Sequence, residues 1–178
     1  MRIVSGIYRG RSINPPKGFR ARPTTDYARE SLFNILGNRY DFTELDVLDL
    51  FSGTGSISYE FASREVNSIE LVESNRLNYR FIMSTIRDLD IKCIKSYNTD
   101  VRIYLRKAEN RFDLIFADPP YDLEWLTELP KMVREASILK SGGVLIIEHP
   151  KHVTFSGYEG LIEHRFYGSV NFSFFRFD

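Results

Sequence analysis

The sequence predicts an α/β fold built on a parallel sheet, and three features carry that expectation. From Leu45 onward, short apolar runs alternate with segments of helical periodicity, the pattern of βαβ units. The first strand-to-helix junction holds two glycines, Gly53 and Gly55, where a tight turn lets backbone approach a ligand at a helix N-terminus. The chain has 178 residues, 43% hydrophobic and 27% charged, which suits one globular domain and argues against a disordered chain, collagen or a multidomain machine.

In chain order, Arg2–Ile13 alternates loosely around Gly6 and Gly10 and reads as a short hairpin, and residues 14–23 form a connector. Thr24, Thr25 and Asp26 offer capping oxygens, and Ala28, Leu32, Ile35 and Leu36 then recur at helical spacing until Gly37. A helix starting near Thr25 is expected. Strands are expected at 45–50, 67–73, 91–95, 112–117 and 143–148, each an apolar run bounded by polar or turn residues. Helices fill the gaps. The clearest is 75–88, with Leu77, Phe81, Thr85, Ile86 and Leu89 on one face; another follows Asp100, and 123–138 is helical but interrupted by Pro130. Segments 161–167 and 170–177 alternate aromatic and polar residues across Gly168-Ser169, suggesting two antiparallel strands that close one edge.

The zero net charge hides an asymmetry. Residues 1–39 carry eight basic side chains (Arg2, Arg9, Arg11, Lys17, Arg20, Arg22, Arg29, Arg39) against Asp26 and Glu30, a balance of +6 that the rest of the chain offsets. A segregated basic arm is the usual footprint of phosphate contact, and a solvated basic face is the alternative. Arg22, just before Pro23, is equally placed to orient the following helix. The single cysteine, Cys93, permits no intramolecular disulfide and no zinc site. The N-terminus lacks the apolar core of a signal peptide and no run is long enough for a membrane span. A cytoplasmic protein with no membrane partner is expected, and a monomer, since no unassigned apolar helix face demands burial.

The chemistry concentrates at successive strand ends. The junction Asp49-Leu50-Phe51-Ser52-Gly53-Thr54-Gly55 is followed by Ser58 where a dinucleotide fingerprint would place its third glycine, so a nicotinamide-type turn is possible but not favoured. Glu73 ends the second strand, 18 residues after Gly55, where a carboxylate accepts hydrogen bonds from the ribose hydroxyls of either NAD or S-adenosylmethionine. Asp100 follows the third strand and offers an acceptor for an adenine amine. Asp118-Pro119-Pro120-Tyr121 follows the fourth. Two prolines fix the backbone and leave carbonyl acceptors at a defined spot. Hydrogen bonds from an exocyclic amine to the Asp118 carboxylate and Pro119 carbonyl favour the pyramidal geometry that nucleophilic attack requires, and Tyr121 can stack on the base.

This set, the Asp49–Gly55 loop with Glu73, Asp100 and Asp118–Tyr121, resembles the class I S-adenosylmethionine-dependent amino-methyltransferases. RIVSGIYRGR at 2–11, RPTTDYARESLFNIL at 22–36, LDLFSGTG at 48–55, FADPPY at 116–121 and RFYGSVNFSFF at 165–175 narrow it, and almost the whole chain resembles the bacterial small-subunit ribosomal RNA methyltransferase D family. The tetrapeptide is common to many amino-methyltransferases; RPTTD-x-x-RE-x-LFN and the leading arm are the specific parts. The resemblance implies a Rossmann-like three-layer sandwich, its mainly parallel seven-stranded sheet ending in an antiparallel strand. It also implies an N-terminal extension (1–39) beside a methyltransferase domain (40–178). The implied reaction is transfer of a methyl group from S-adenosylmethionine to N2 of a guanine in 16S rRNA, guanine 966 in the family's description. The implied catalytic residues are Asp118, Pro119, Pro120 and Tyr121. Asp49, Phe51, Gly53, Gly55, Glu73 and Asp100 are expected to bind the cofactor, and Arg9, Arg11, Arg20 and Arg22 the RNA, free or in the assembling small subunit.

Two other functions remain open on the residues: a DNA adenine-N6 methyltransferase using the same tetrapeptide, and a non-catalytic RNA-binding protein on the same scaffold. Little sequence is left for the base-reading segment a DNA enzyme needs, and the intact tetrapeptide argues against the second. His149, His152 and His164 lack carboxylate or cysteine partners at metal spacing and are expected at the surface or in loops, with no metal. Phe166, Tyr167, Phe172, Phe174, Phe175 and Phe177 are expected to pack the sheet edge.

Overall fold

A computed structural model describes residues 1–15 and 26–177. Seven strands form one sheet in the order β3-β2-β1-β4-β5-β7-β6: β1 (Asp46–Leu50), β2 (Ser68–Val72), β3 (Ile94–Tyr97), β4 (Phe112–Ala117), β5 (Leu139–His149), β6 (Leu161–Tyr167) and β7 (Val170–Phe175). Strands β3, β2, β1, β4 and β5 are mutually parallel, and β7 runs antiparallel between β5 and β6. The hairpin therefore extends the sheet with β6 as its edge. Alternate side chains feed two cores. One packs α1 (Asp26–Gly37), α2 (Ser56–Ser63) and α3 (Arg76–Asp88) around Val47, Ile69, Leu114 and Phe116; the other packs α4 (Val101–Lys107) and α5 (Leu129–Ala136) around Leu48, Leu50, Ile115 and Ile147. Strands buried on both faces read as continuous apolar runs, which is why β1, β2 and β4 are plain in the sequence.

Elsewhere local chemistry departs from the pattern. The third strand lies at 94–97 rather than 91–95: the N–H of Ile91 closes the end of α3 on the Ile86 carbonyl at 2.9 Å, and ladder pairing begins at the Cys93 carbonyl. β5 starts at Leu139, earlier than expected, because Ser141-Gly142-Gly143 form an irregularity within the pairing to β4 and not a turn before it. Pro130 stands in the first turn of α5, where its missing N–H costs nothing, so it starts a helix instead of interrupting one. On α3 the buried positions are Ile82 and Thr85, and Leu77 is exposed.

The N-terminal arm is fastened along α2, all eight residues of which are buried. The N–H groups of Ile7 and Tyr8 reach the carbonyl and hydroxyl of Ser63 at 2.8 and 3.0 Å, satisfying the end of the helix. Gly6 has φ +84°, and a Cβ there would lie 1.7 Å from the Ser63 carbonyl oxygen; only glycine allows that approach. At mid-helix the Glu60 carboxylate accepts the Val4 N–H at 2.7 Å and pairs with Arg64 and Arg29. Arg29, 1% exposed, also donates to the Arg2 carbonyl at 3.0 Å and to Asp26 at 2.8 Å. It ties arm, α1 and α2 together instead of belonging to a basic surface. Removing one partner of such a buried pair typically costs about 3–5 kcal/mol.

Candidate active site

The carboxyl ends of β1, β2, β4 and β5 surround a cavity of about 620 Å³, at the edge where open α/β sheets bind ligands. Of the expected site residues, Asp49, Phe51, Gly53, Glu73, Asp100, Asp118, Pro119, Pro120 and Tyr121 all line it. Gly55 lies just behind the lining as the cap of α2, with φ +83°. A Cβ on Gly55 would meet the Tyr59 ring at 2.6 Å, so this turn needs glycine on both conformational and steric grounds.

On the cofactor side the acids are held by the loop itself. Asp49, 1% exposed, accepts a 2.5 Å hydrogen bond from the Ser58 hydroxyl; burial pushes its carboxyl up to about 7, with the Ser58 bond opposing. Glu73 accepts the N–H of Gly53 at 2.8 Å and of Asn75 at 2.6 Å. Burial raises its pKa, and those two N–H groups pull it back. Glu73 is 7% exposed, so it staples the glycine loop to β2 as well as facing the cavity. Asp100 caps α4 through the Arg102 N–H at 2.8 Å; its bond to the Arg102 guanidinium holds its carboxyl below the usual range. Phe51 has φ +59° and leans on Trp125, 5.8 Å between centroids, with the Arg102 guanidinium 5.2 Å over the same indole. A left-handed phenylalanine is uncommon backbone, held here by its surroundings.

The opposite side begins where the Asp118 N–H reaches the Leu50 carbonyl at 3.4 Å, tying the tetrapeptide to β1. The Pro120 carbonyl accepts the Leu123 N–H at 3.0 Å, so Pro119 carries the candidate acceptor for an amine. Tyr121 donates its hydroxyl to Glu148 at 3.2 Å. Glu148, 3% exposed at the end of β5, lines the cavity and is absent from the residues expected there; the signal that could find it is the one that marks Glu73, an acid at a strand's end. Six lining residues are carboxylic acids, and no lysine, arginine or histidine is among the described lining residues.

The remaining candidates fall elsewhere. Arg9 and Arg11 are exposed on the arm, and Arg20 and Arg22 lie outside the described residues. Met1 touches Thr54 of the glycine loop, with sulfur and hydroxyl 4.0 Å apart, whereas the turn carrying Arg9 packs at the far end of α2. An eight-residue helix is about 12 Å long, so the arm spans from the cavity rim toward the opposite edge of the sheet. Arg39 pairs with Glu163 at 2.7 Å. His149 is buried in β5, not at the surface or in a loop as expected: it is 1% exposed, bonded to Ser173 at 2.8 Å and to the Pro150 carbonyl at 3.1 Å, and burial lowers its pKa. Phe172, Phe174 and Phe175 are core, while Phe166 is 74% exposed. Among the described residues no group of three metal-ligating side chains gathers and no helix is long and apolar enough to cross a membrane.

A sheet ordered in this way, with one antiparallel strand beside β5, is that of the class I methyltransferases, and solved structures superpose on nearly the whole chain. The Escherichia coli "Putative methyltransferase yhhF" superposes with a TM-score of 0.86 at 25% identity, over 98% of this chain and 96% of that one. A hypothetical protein of Thermus thermophilus does so at 0.87 and 28%, over 99% of both. The chain belongs to the small-subunit ribosomal RNA methyltransferase D family, matching the family described as "Conserved hypothetical protein 95" over residues 1–176. It is 33% identical over 157 residues to the "Putative rRNA methyltransferase YlbH" of Bacillus subtilis (strain 168), covering 86% of this chain and 84% of that protein. To the Ribosomal RNA small subunit methyltransferase D of Escherichia coli (strain K12) it is 27% identical, covering 83% and 74%.

Proposed function

We propose that this methyltransferase transfers the methyl group of S-adenosylmethionine to the exocyclic N2 amine of a guanine in 16S rRNA, yielding N2-methylguanosine and S-adenosylhomocysteine. The observation that carries this reading is the single cavity joining Asp49, Gly53, Glu73 and Asp100 to Asp118–Tyr121, in a chain whose relatives are named small-subunit rRNA methyltransferases.

The cavity suits the cofactor by charge. A lining rich in carboxylates without a basic side chain among its described residues favours a ligand carrying sulfonium and ammonium groups and disfavours a nucleotide diphosphate such as NAD. Glu73 accepts the ribose hydroxyls, Asp100 the adenine amine, and Asp49 faces the cationic end beside the Gly53–Gly55 turn. S-adenosylmethionine supplies a methyl group already activated by its sulfonium, which leaves as a neutral thioether. Asp118 and the Pro119 carbonyl accept hydrogen bonds from the guanine amine, directing its lone pair at that methyl, and Asp118 takes up the proton that nitrogen sheds once the N–C bond forms. Tyr121 stacks on the base. Positioning supplies most of the acceleration. The 1–39 extension, with Arg9, Arg11, Arg20 and Arg22, is the phosphate-contacting part beside the 40–178 catalytic domain.

Incubation with methyl-labelled S-adenosylmethionine and small-subunit particles, naked 16S rRNA or duplex DNA tests this, with the product nucleoside identified by mass spectrometry. The expected product is N2-methylguanosine at one site in rRNA, guanine 966 by family resemblance. N6-methyladenine in DNA, or cofactor binding without transfer to any of the three, would overturn it.

A further inference from the structure

Glu148 stands beside the tetrapeptide without a part in the chemistry above. Ala117 and Ile147 are partners across the parallel β4–β5 ladder, so Asp118 and Glu148 are the next residues on adjacent strands, about 4.8 Å apart at the backbone. Both line the cavity, Glu148 is 3% exposed, and the Tyr121 hydroxyl bonds its Oε1 at 3.2 Å. Two carboxylates on neighbouring strand ends thus face the same volume, and the side chain expected to stack on the base fixes one of them.

A carboxylate accepts up to about four hydrogen bonds and, ionised, donates none. The Watson–Crick edge of guanine offers adjacent donors, the N1–H and the N2 amine. Adenine has an amine too, but its neighbouring N1 is an acceptor. An amine held by Asp118 and Pro119 therefore says little about which purine is bound, whereas a second acceptor beside it does. We propose that Glu148 is a specificity-determining residue that accepts the guanine N1–H while Asp118 holds the N2 amine, so that adenine would set its N1 lone pair against a buried carboxylate. The proposal rests on the guanine-N2 reading and says how that base is chosen. Sites built around a buried polar partner reject the analogue lacking it far more strongly than apolar pockets reject a change of size. The Tyr121 bond gives the carboxylate a fixed direction without exhausting its capacity as an acceptor.

The test uses 16S rRNA ligated to carry either guanosine or 2-aminopurine riboside at the nucleotide the wild-type enzyme methylates, assembled into small-subunit particles. 2-Aminopurine keeps the amine at the same ring position but has an acceptor at N1. Wild type is expected to prefer guanosine by on the order of 10²-fold in kcat/KM. In Glu148→Gln, whose amide can present either a donor or an acceptor, that preference is expected to fall at least tenfold, mainly through loss of activity on guanosine. A merely structural role would slow both substrates alike and leave the ratio intact; an unchanged ratio in folded Glu148→Gln protein that binds cofactor normally overturns the proposal. Should that variant fail to fold, wild type alone decides, because methylation of 2-aminopurine within twofold of guanosine overturns it equally. Absence of N2-methylguanosine from the guanosine substrate with wild type is a different failure: it removes the guanine-N2 reading, and the proposal with it.

Discussion

The two walls of the cavity are built on different principles. On the cofactor wall the acids are restrained by loop and helix: Asp49 by the Ser58 hydroxyl, Glu73 by the N–H groups of Gly53 and Asn75, Asp100 by the start of α4. On the acceptor wall, Pro119 and Pro120 lack N–H groups, and the directed contacts join strand ends, Asp118 to Leu50 and Tyr121 to Glu148. The first wall is a closed network that a ligand joins; the second is a rigid edge whose acceptors meet a base. Changes on the first should therefore act on cofactor binding, and changes on the second on the rate of transfer.

The largest effect is expected from Asp118→Ala, which removes an acceptor whose bond strengthens as the amine is alkylated. Single-turnover methyl transfer should fall on the order of 10²-fold or more, with cofactor affinity by calorimetry within about twofold of wild type. Glu73→Ala should do the reverse, weakening S-adenosylmethionine about tenfold, or about 1.4 kcal/mol, at nearly unchanged transfer rate under saturation. Trp125, the single tryptophan, leans on Phe51 at the cavity wall, so its fluorescence gives a second readout of binding.

Acidity sharpens the contrast. The Asp49 carboxyl, pushed up to about 7 by burial, holds a proton below that pH, and a cationic ligand favours its loss. Cofactor affinity should therefore rise with pH between 6 and 8, by up to about tenfold per unit on the acidic side, and Asp49→Asn should bind weakly with a flatter profile. The same shift makes the folded state hold more protons than the unfolded chain between about pH 4 and 7. The stability contributed by Asp49 is thus present at low pH and lost as pH rises through about 7. Urea titrations of wild type and Asp49→Asn at pH 5 and 8 read that difference.

The smallest effects belong to the arm. Replacing Arg9, Arg11, Arg20 and Arg22 together with Ala should flatten the salt dependence of rRNA binding, by roughly 0.7–0.9 in log–log slope for each phosphate no longer neutralised, while sparing the cofactor. The turn carrying Arg9 packs at the end of α2 away from the cavity, so Arg9 should contribute less than Arg11; a larger loss from Arg9→Ala would mean that the RNA follows the opposite edge of the sheet.

Sequence periodicity reveals what is repetitive. The doubly buried strands, Gly55, Glu73 and the Asp118–Tyr121 turn are all visible because burial on both faces or a special backbone leaves a local signature. Arg29 is harder, since its charge suggests a surface while its spacing from Leu32 and Phe33 places it on the buried face of α1; Glu60, 31 residues away, and the Arg2 carbonyl, 27 residues away, together with Asp26 explain how it is accommodated. Edge strand β3 pairs on one side and so lacks a continuous apolar run. Pro130 misleads because one residue can either break a helix or begin it, and the preceding Leu126–Glu128 turn decides which. Glu148 is visible as a strand's last acid, but its meaning depends on the β4–β5 register that sets it beside Asp118.

The separation of the two walls is tested most directly by transfer rate against S-adenosylmethionine concentration in Glu73→Ala, Asp118→Ala and the double variant. With independent walls, the double variant should show the half-saturation of Glu73→Ala and the plateau of Asp118→Ala, the free energies adding to within about 0.5 kcal/mol. If both single variants moved the same parameter, or the double variant were no worse than either, the cavity would be one coupled unit and the division of labour would be wrong.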